Sequence, residues 1–315
     1  MRTILLATVL TAACTPYSYD SDEVWNDDPV FSSDRLDWTG EIWAETDGMA
    51  YLTERDMVVG MSGMVCVAKT QGWIDADYDP VAGDETVTDI DDVDEIVVLT
   101  VDDDVHLTNP DGAVLQTRTV PGLVDARGDG AGDVVVRADD PELGCTISWH
   151  DERTRTSVPH PAIDCADDAQ WTVDRQRGIA FVATVDGILA VDREGSRLLG
   201  IHGDRLAWDH AADVLYVADH EGVVVAGYEA NGTLLWETEL PAPVRHLRAR
   251  GRRGEALVVT RSAPRSHDLW SIDGSTGEAS HLGLVNANVR DAAVSRSGNG
   301  LAVQTGSTLL TLRER

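Results

Sequence analysis

Residues 213–240 read DVLYVADHEGVVVAGYEANGTLLWETEL. Three apolar runs, VLYVA, VVVAGY and TLLWETEL, are separated by the small turns ADHEG and EANG. Short runs rich in Val, Leu and Tyr between Gly, Asp and Asn turns are strand signals. The same order recurs from Asp56 (DMVVGMSGMVCVAKTQGW), Glu95 (EIVVLTVDDDVHLTNPDGAVLQT), Asp133 (DVVVRADDPELGCTISWHDERTRTS), Val173 (VDRQRGIAFVATVDGILAVDREGSRLL), Glu255 (EALVVTRSAPRSHDLWSIDGSTGEAS) and Val294 (VSRSGNGLAVQTGSTLLTL). The second runs begin at Val65, Val105, Ile147, Ile188, Val224, Leu269 and Leu309, so a unit of about 41 residues repeats seven times. No stretch sustains a helical period.

Each unit holds four short runs, the pattern of a four-stranded antiparallel sheet. Such a sheet has two faces and cannot bury them alone, so the units must pack radially about an axis. The expected fold is all-β, a seven-bladed β-propeller of four-stranded antiparallel blades, with six or eight blades as alternatives if one unit is misdrawn. The last copy ends at Arg315 after its third run. The segment RLDWTGEIWAE, Arg35 to Glu45, alternates Leu36, Trp38, Ile42 and Trp43 with polar neighbours and can supply the missing outer strand. N- and C-terminal strands then pair to close the ring.

The chain has 315 residues, 25 basic against 55 acidic side chains, and a formal charge of −30. That charge repels phosphate backbones and anionic lipid, which excludes nucleic acid as a partner. Lys69 is the only lysine, and the arginine bias by itself carries no functional weight. Among the nine histidines no paired metal spacing occurs, and Ser62 in GMSGM misses the nucleophile-elbow pattern by one place. No catalytic residue is assigned, and the expectation is a protein that is not an enzyme.

The N-terminus MRTILLATVLTAAC places Arg2 before an apolar run and small residues before Cys14. The run is too short to span a bilayer. It resembles a bacterial lipoprotein signal, which implies cleavage after Ala13 and lipidation of Cys14, although Thr11 stands where that family usually has Leu. Thr15 resembles the residue that follows the cysteine in lipoproteins sent to the outer membrane. The expected organisation is a signal peptide over 1–13, a lipidated acidic tether over 14–34 and the propeller over 35–315. An ordinary secretory signal is the alternative. In an oxidising periplasm Cys145 and Cys165 are a candidate disulfide, closing a loop worth about 3 kcal/mol in the chain-entropy model. Cys66 is then the odd cysteine, and the alternative makes all three small buried hydrophobes.

AGYEANGTLLW, residues 226–236, resembles the PQQ-like repeat A-x-D-x-x-T-G-x-x-x-W, keeping Ala226, Gly232 and Trp236. SIDGSTGEASH, residues 271–281, keeps Asp273, Thr276 and Gly277. The resemblance implies that Trp236 docks its outer strand on the neighbouring blade. It implies no quinone, because no two cysteines are adjacent here. A lipidated cysteine ahead of such blades is similar to the propeller lipoproteins of the outer-membrane β-barrel assembly machine, which implies a scaffold role. DARGDGAGDVVV, residues 125–136, resembles the calcium loop of FG-GAP propeller repeats through Asp125, Asp129 and Asp133. Arg127 occupies a ligand position, so an acidic turn is the preferred reading, with Ca²⁺ and an adhesion module as the alternative.

The expected function is a monomeric, lipid-anchored envelope scaffold that binds a protein partner. A hydrolase or lyase with its site at the mouth of the central channel is the competing class. Convergent polar side chains around a deep pocket favour that class, and a plugged apolar channel favours the scaffold. The turns between second and third strands lie on one face, where Asp103, Asp139, Asp186, Asp219 and Glu221 form a candidate acidic arc for a cationic partner.

Overall fold

Runs of β-branched and aliphatic residues give strands whose faces are buried on both sides. Val214–Ala218 and Gly187–Val191 are buried at every position. Outer strands are wet, with Ser196–Leu198 exposed throughout. A strand sandwiched between neighbouring blades carries no polar face, which is why the central runs of each repeat read as continuous apolar segments.

The computed structural model describes residues 30–43, 49–52, 57–61, 65–69, 72–74, 87–93, 96–108, 114–128, 134–150, 155–159, 170–295, 297–305 and 308–315. Among them the strands form seven antiparallel sheets, here called blades 1 to 7. Their first strands are Met49–Leu52, Val87–Val93, Leu123–Gly128, Trp171–Asp174, Arg205–Asp209, Val244–Ala249 and Val289–Val294. Each of these contacts the next in order, and Val289–Val294 contacts Met49–Leu52, so the first strands line a closed ring. All seven anchor residues of the repeat lie in third strands.

The seam falls where the sequence places it. Leu36–Trp43 pairs antiparallel with Thr308–Glu314 as the outer strand of blade 7, with Leu36 opposite Glu314, Trp43 opposite Thr308 and a bulge between Trp38 and Gly40. Leu36 is 1% exposed and belongs to a core with Leu282, Val285, Leu301, Leu310 and Leu312. One strand is additional. Val30–Ser32, in the segment read as tether, pairs with Ala279–Asn286 as a fifth strand on the edge of blade 6. Ser33 Oγ then accepts from the N–H of Arg35 at 2.9 Å and of Leu36 at 2.8 Å, turning the chain onto blade 7. Below the seam the fully buried Arg250 guanidinium bonds Glu255 at 2.7 Å and Glu314 at 2.9 Å, tying blade 6 to blade 7.

Aspartates close the tight turns. Asp209 Oδ1 accepts from Ala211 at 2.7 Å and Ala212 at 3.1 Å, and Asp174 Oδ1 does the same for Gln176 and Arg177. Between blades 5 and 6, Trp236 Nε1 donates to the Gly274 carbonyl at 2.7 Å. Its ring lies where side chains on Gly227 and Gly277 would otherwise be, and Gly277 has φ 75°. Trp236 therefore joins the outer strand of blade 5 to the last turn of blade 6.

Candidate functional site

In an antiparallel blade the start of the first strand and the turn between the second and third lie on the same face. On that face, at blades 5 to 7, the first strands and neighbouring turns enclose a cavity of about 400 Å³. Arg205 opens the first strand of blade 5, Arg245, His246 and Arg248 come from that of blade 6, and Arg290 and Asp291 from that of blade 7. The second-to-third-strand turn of blade 5 adds His220, the facing ends of the second and third strands of blade 6 add Arg261 and His267, and Gln170 precedes blade 4. Five of the chain's 25 cations thus line one cavity in a protein of charge −30. That concentration marks the channel mouth as the candidate site.

The local geometry is a fixed network. Arg205 Nη2 lies 2.8 Å from His220 Nδ1, and Arg205 Nε donates to the Arg245 carbonyl at 3.3 Å. The other ring nitrogen of His220, Nε2, lies 2.9 Å from Arg245 Nη1 and 3.5 Å from Glu221 Oε1, so the ring sits between two guanidiniums. Arg245 Nη1 holds the same Glu221 oxygen at 2.5 Å. Arg248 donates to Asp291 Oδ1 at 2.8 Å and to the Ala292 carbonyl at 3.1 Å. Arg261 Nη2 reaches the Pro264 carbonyl at 3.5 Å. The Nε of Arg245 is buried and has no acceptor.

Two imidazoles of the cavity, His246 and His267, are held below their ordinary value. Burial, with the Arg248 cation beside it, depresses His246 to about 4 against the pull of Asp291. Burial also lowers His267, whose Nδ1 lies 2.8 Å from the Ala287 carbonyl. The cavity therefore presents permanently charged guanidinium donors and weakly basic rings.

The residues singled out in the sequence distribute around this mouth. Asp103, Asp139, Asp186 and Asp219 are exposed in or beside the second-to-third-strand turns of blades 2 to 5, on the face that carries the cavity. Asp103 Oδ1 accepts from the Gly122 N–H at 2.8 Å. Glu221 is exposed as well, yet its carboxylate is bound to Arg245 and belongs to the cavity wall. Asp125 is buried on the first strand of blade 3, where it accepts from Arg127 at 3.3 Å and from Trp171 Nε1. Asp129 and Asp133 lie outside the described residues, as do Cys14 and Cys165. Cys145, buried in the third strand of blade 3, is disulfide-bonded. Among the described residues no group of three or more His, Cys, Asp or Glu could hold a metal ion.

The arginine cluster escaped the sequence reading, although a signal existed. Arg205, Arg245 and Arg290 occupy the first or second position of the first strand in three consecutive blades. A cation repeated at one register position points to one end of the ring axis.

No protein-family model matches the chain, and no curated protein does. Solved structures match along most of its length. One titled as the mitotic checkpoint complex has a TM-score of 0.61 at 12% identity, covering 99% of both chains. The β-propeller domain of Myceliophteria thermophila Cps50 (Swd1) has a TM-score of 0.64 at 10% identity, covering 88% of this chain and 99% of that one. The WD40 domain of Neurospora crassa Pan2 has a TM-score of 0.63 at 12% identity, with 90% and 96% covered. At such identities the likeness shows the fold, and the fold is a β-propeller.

Proposed function

We propose that this chain is a non-enzymatic binding propeller of PQQ-like repeats, held in the bacterial cell envelope by a lipid on Cys14, which docks a protein partner on the face bearing the channel mouth. The observation that carries this reading is the chemistry of the mouth. Its charge resides in guanidiniums, which neither give nor take protons at accessible pH, and its depressed imidazoles are poor proton acceptors. Such groups recognise a ligand without driving proton transfer. The exposed aspartates of blades 2 to 5 rim the same face and favour a cationic partner surface through complementary charge.

Crosslinking in the native envelope, with mass spectrometric identification of the captured protein, tests the docking role. Converting Asp103, Asp139, Asp186 and Asp219 together to Asn weakens that capture, while four exposed Asp→Asn changes on the opposite face leave it intact. Equal loss from both variants reduces the acidic arc to bulk charge. Cys14→Ser moves the protein from the membrane to the soluble fraction; a variant that still pellets with membranes overturns the lipid anchor.

A second reading, a hydrolase or lyase working at the channel mouth, draws support from one observation. The cavity is polar and, at about 400 Å³, falls in the range of small-ligand sites. Turnover of a small ester or uronate that disappears in His246→Gln separates this reading from pure binding.

A further inference from the structure

The cavity holds more positive charge than its own carboxylates answer. Glu221 is taken by Arg245 and Asp291 by Arg248. Arg205 and Arg261 have no carboxylate partner among the described residues, and meet only main-chain carbonyls and one imidazole ring. Arg245 adds a buried Nε–H that donates to nothing. Partly desolvated guanidiniums facing one cavity repel each other, and a buried unpaired donor is costly. An anion with two oxygens in a plane relieves the repulsion between the cavity's guanidiniums, because the guanidinium fork matches that geometry.

We propose that the pocket between Arg205, Arg245 and Arg261 is an oxyanion site that takes the carboxylate or phosphate group of a small ligand. Size and field set the class. The volume suits a small acid or a phosphate monoester, while the aspartate rim and the chain's charge of −30 repel a polyanion. The site goes beyond the docking role, since a free anion binds there whether or not a protein docks on the rim.

The test uses the full chain and two probes, citrate and inorganic phosphate, titrated by calorimetry at constant ionic strength set with chloride. Saturable binding of either probe is expected, with citrate the tighter if the natural group is a carboxylate and phosphate if it is a phosphoryl group. In Arg205→Gln/Arg261→Gln, losing two charge-assisted contacts weakens binding at least about tenfold. The control, Arg197→Gln/Arg252→Gln, removes two exposed arginines elsewhere and retains wild-type affinity. Protection from phenylglyoxal, mapped by mass spectrometry on the wild-type protein, keeps the proposal testable if the pocket variant folds poorly: saturating probe slows modification of Arg205 and Arg261 and leaves Arg252 unchanged. Absence of saturable binding by both probes overturns the site, as does equal weakening in the two double variants. The rim variant Asp103→Asn/Asp139→Asn/Asp186→Asn/Asp219→Asn binds the probes normally, so loss of partner capture and loss of the oxyanion site are separate outcomes.

Discussion

Leu36→Ala tests the seam with a single side chain. Leu36 stands opposite Glu314 at the end of the strand that completes blade 7, is 1% exposed, and packs in the core that joins blades 6 and 7. Truncating a fully buried leucine removes its transfer free energy and leaves a cavity, at a cost of roughly 2–5 kcal/mol. For a ring of this size that lowers Tm by roughly 4–20 °C, since each kcal/mol shifts a larger domain by about 2–4 °C. The neighbour Asp37 supplies the control. Its carboxylate is 59% exposed and pairs with Arg315, itself 55% exposed, at 2.7 Å. An exposed pair of this kind contributes about 0–1 kcal/mol, so Asp37→Ala is nearly silent. Urea unfolding followed by tryptophan fluorescence, with thermal scans by circular dichroism, measures both. A Leu36→Ala midpoint within experimental error of wild type, or equal losses from the two substitutions, refutes the packing of this strand into blade 7.

Deleting residues 35–45 bares the edge of Thr308–Glu314, so cooperative unfolding of the ring shifts to markedly lower urea and light scattering rises; an unchanged midpoint contradicts the closure. Gly277→Ala places a methyl 2.7 Å from the Trp236 ring at φ 75° and costs about 1–3 kcal/mol, a loss that Trp236→Ala partly relieves in the double variant. His246 titrates near 6.5 in the unfolded chain and near 4 in the fold, so the unfolded state binds the extra proton between those values. Stability from this group is full above pH 6.5 and falls as pH drops toward 4; the wild-type and His246→Gln urea midpoints therefore converge over that window, and parallel curves count against the depressed imidazole.

The blades were legible because their determinants are local. Turn chemistry and apolar runs recur within each unit, so Val65, Val105, Ile147, Ile188, Val224, Leu269 and Leu309 mark seven third strands. The outer strand of blade 7 was legible from the alternation at Leu36, Trp38, Ile42 and Trp43. Val30–Ser32 was not, since three residues in an acidic stretch carry no period and their partner lies at Leu284 to Asn286. The arginine mouth is equally non-local: Arg205, Arg245, Arg261 and Arg290 meet only after the blades are set side by side. Glu221 illustrates the same point, because its partner Arg245 belongs to the next blade.

The chain enters the ring by lying first on the edge of blade 6 and then on the edge of blade 7. A pull from the N-terminal side therefore loads the three rungs of Val30–Ser32 before it reaches the eight-residue strand Leu36–Trp43. The short strand is a mechanical fuse. Its three rungs give way before the longer strand that latches the ring is loaded.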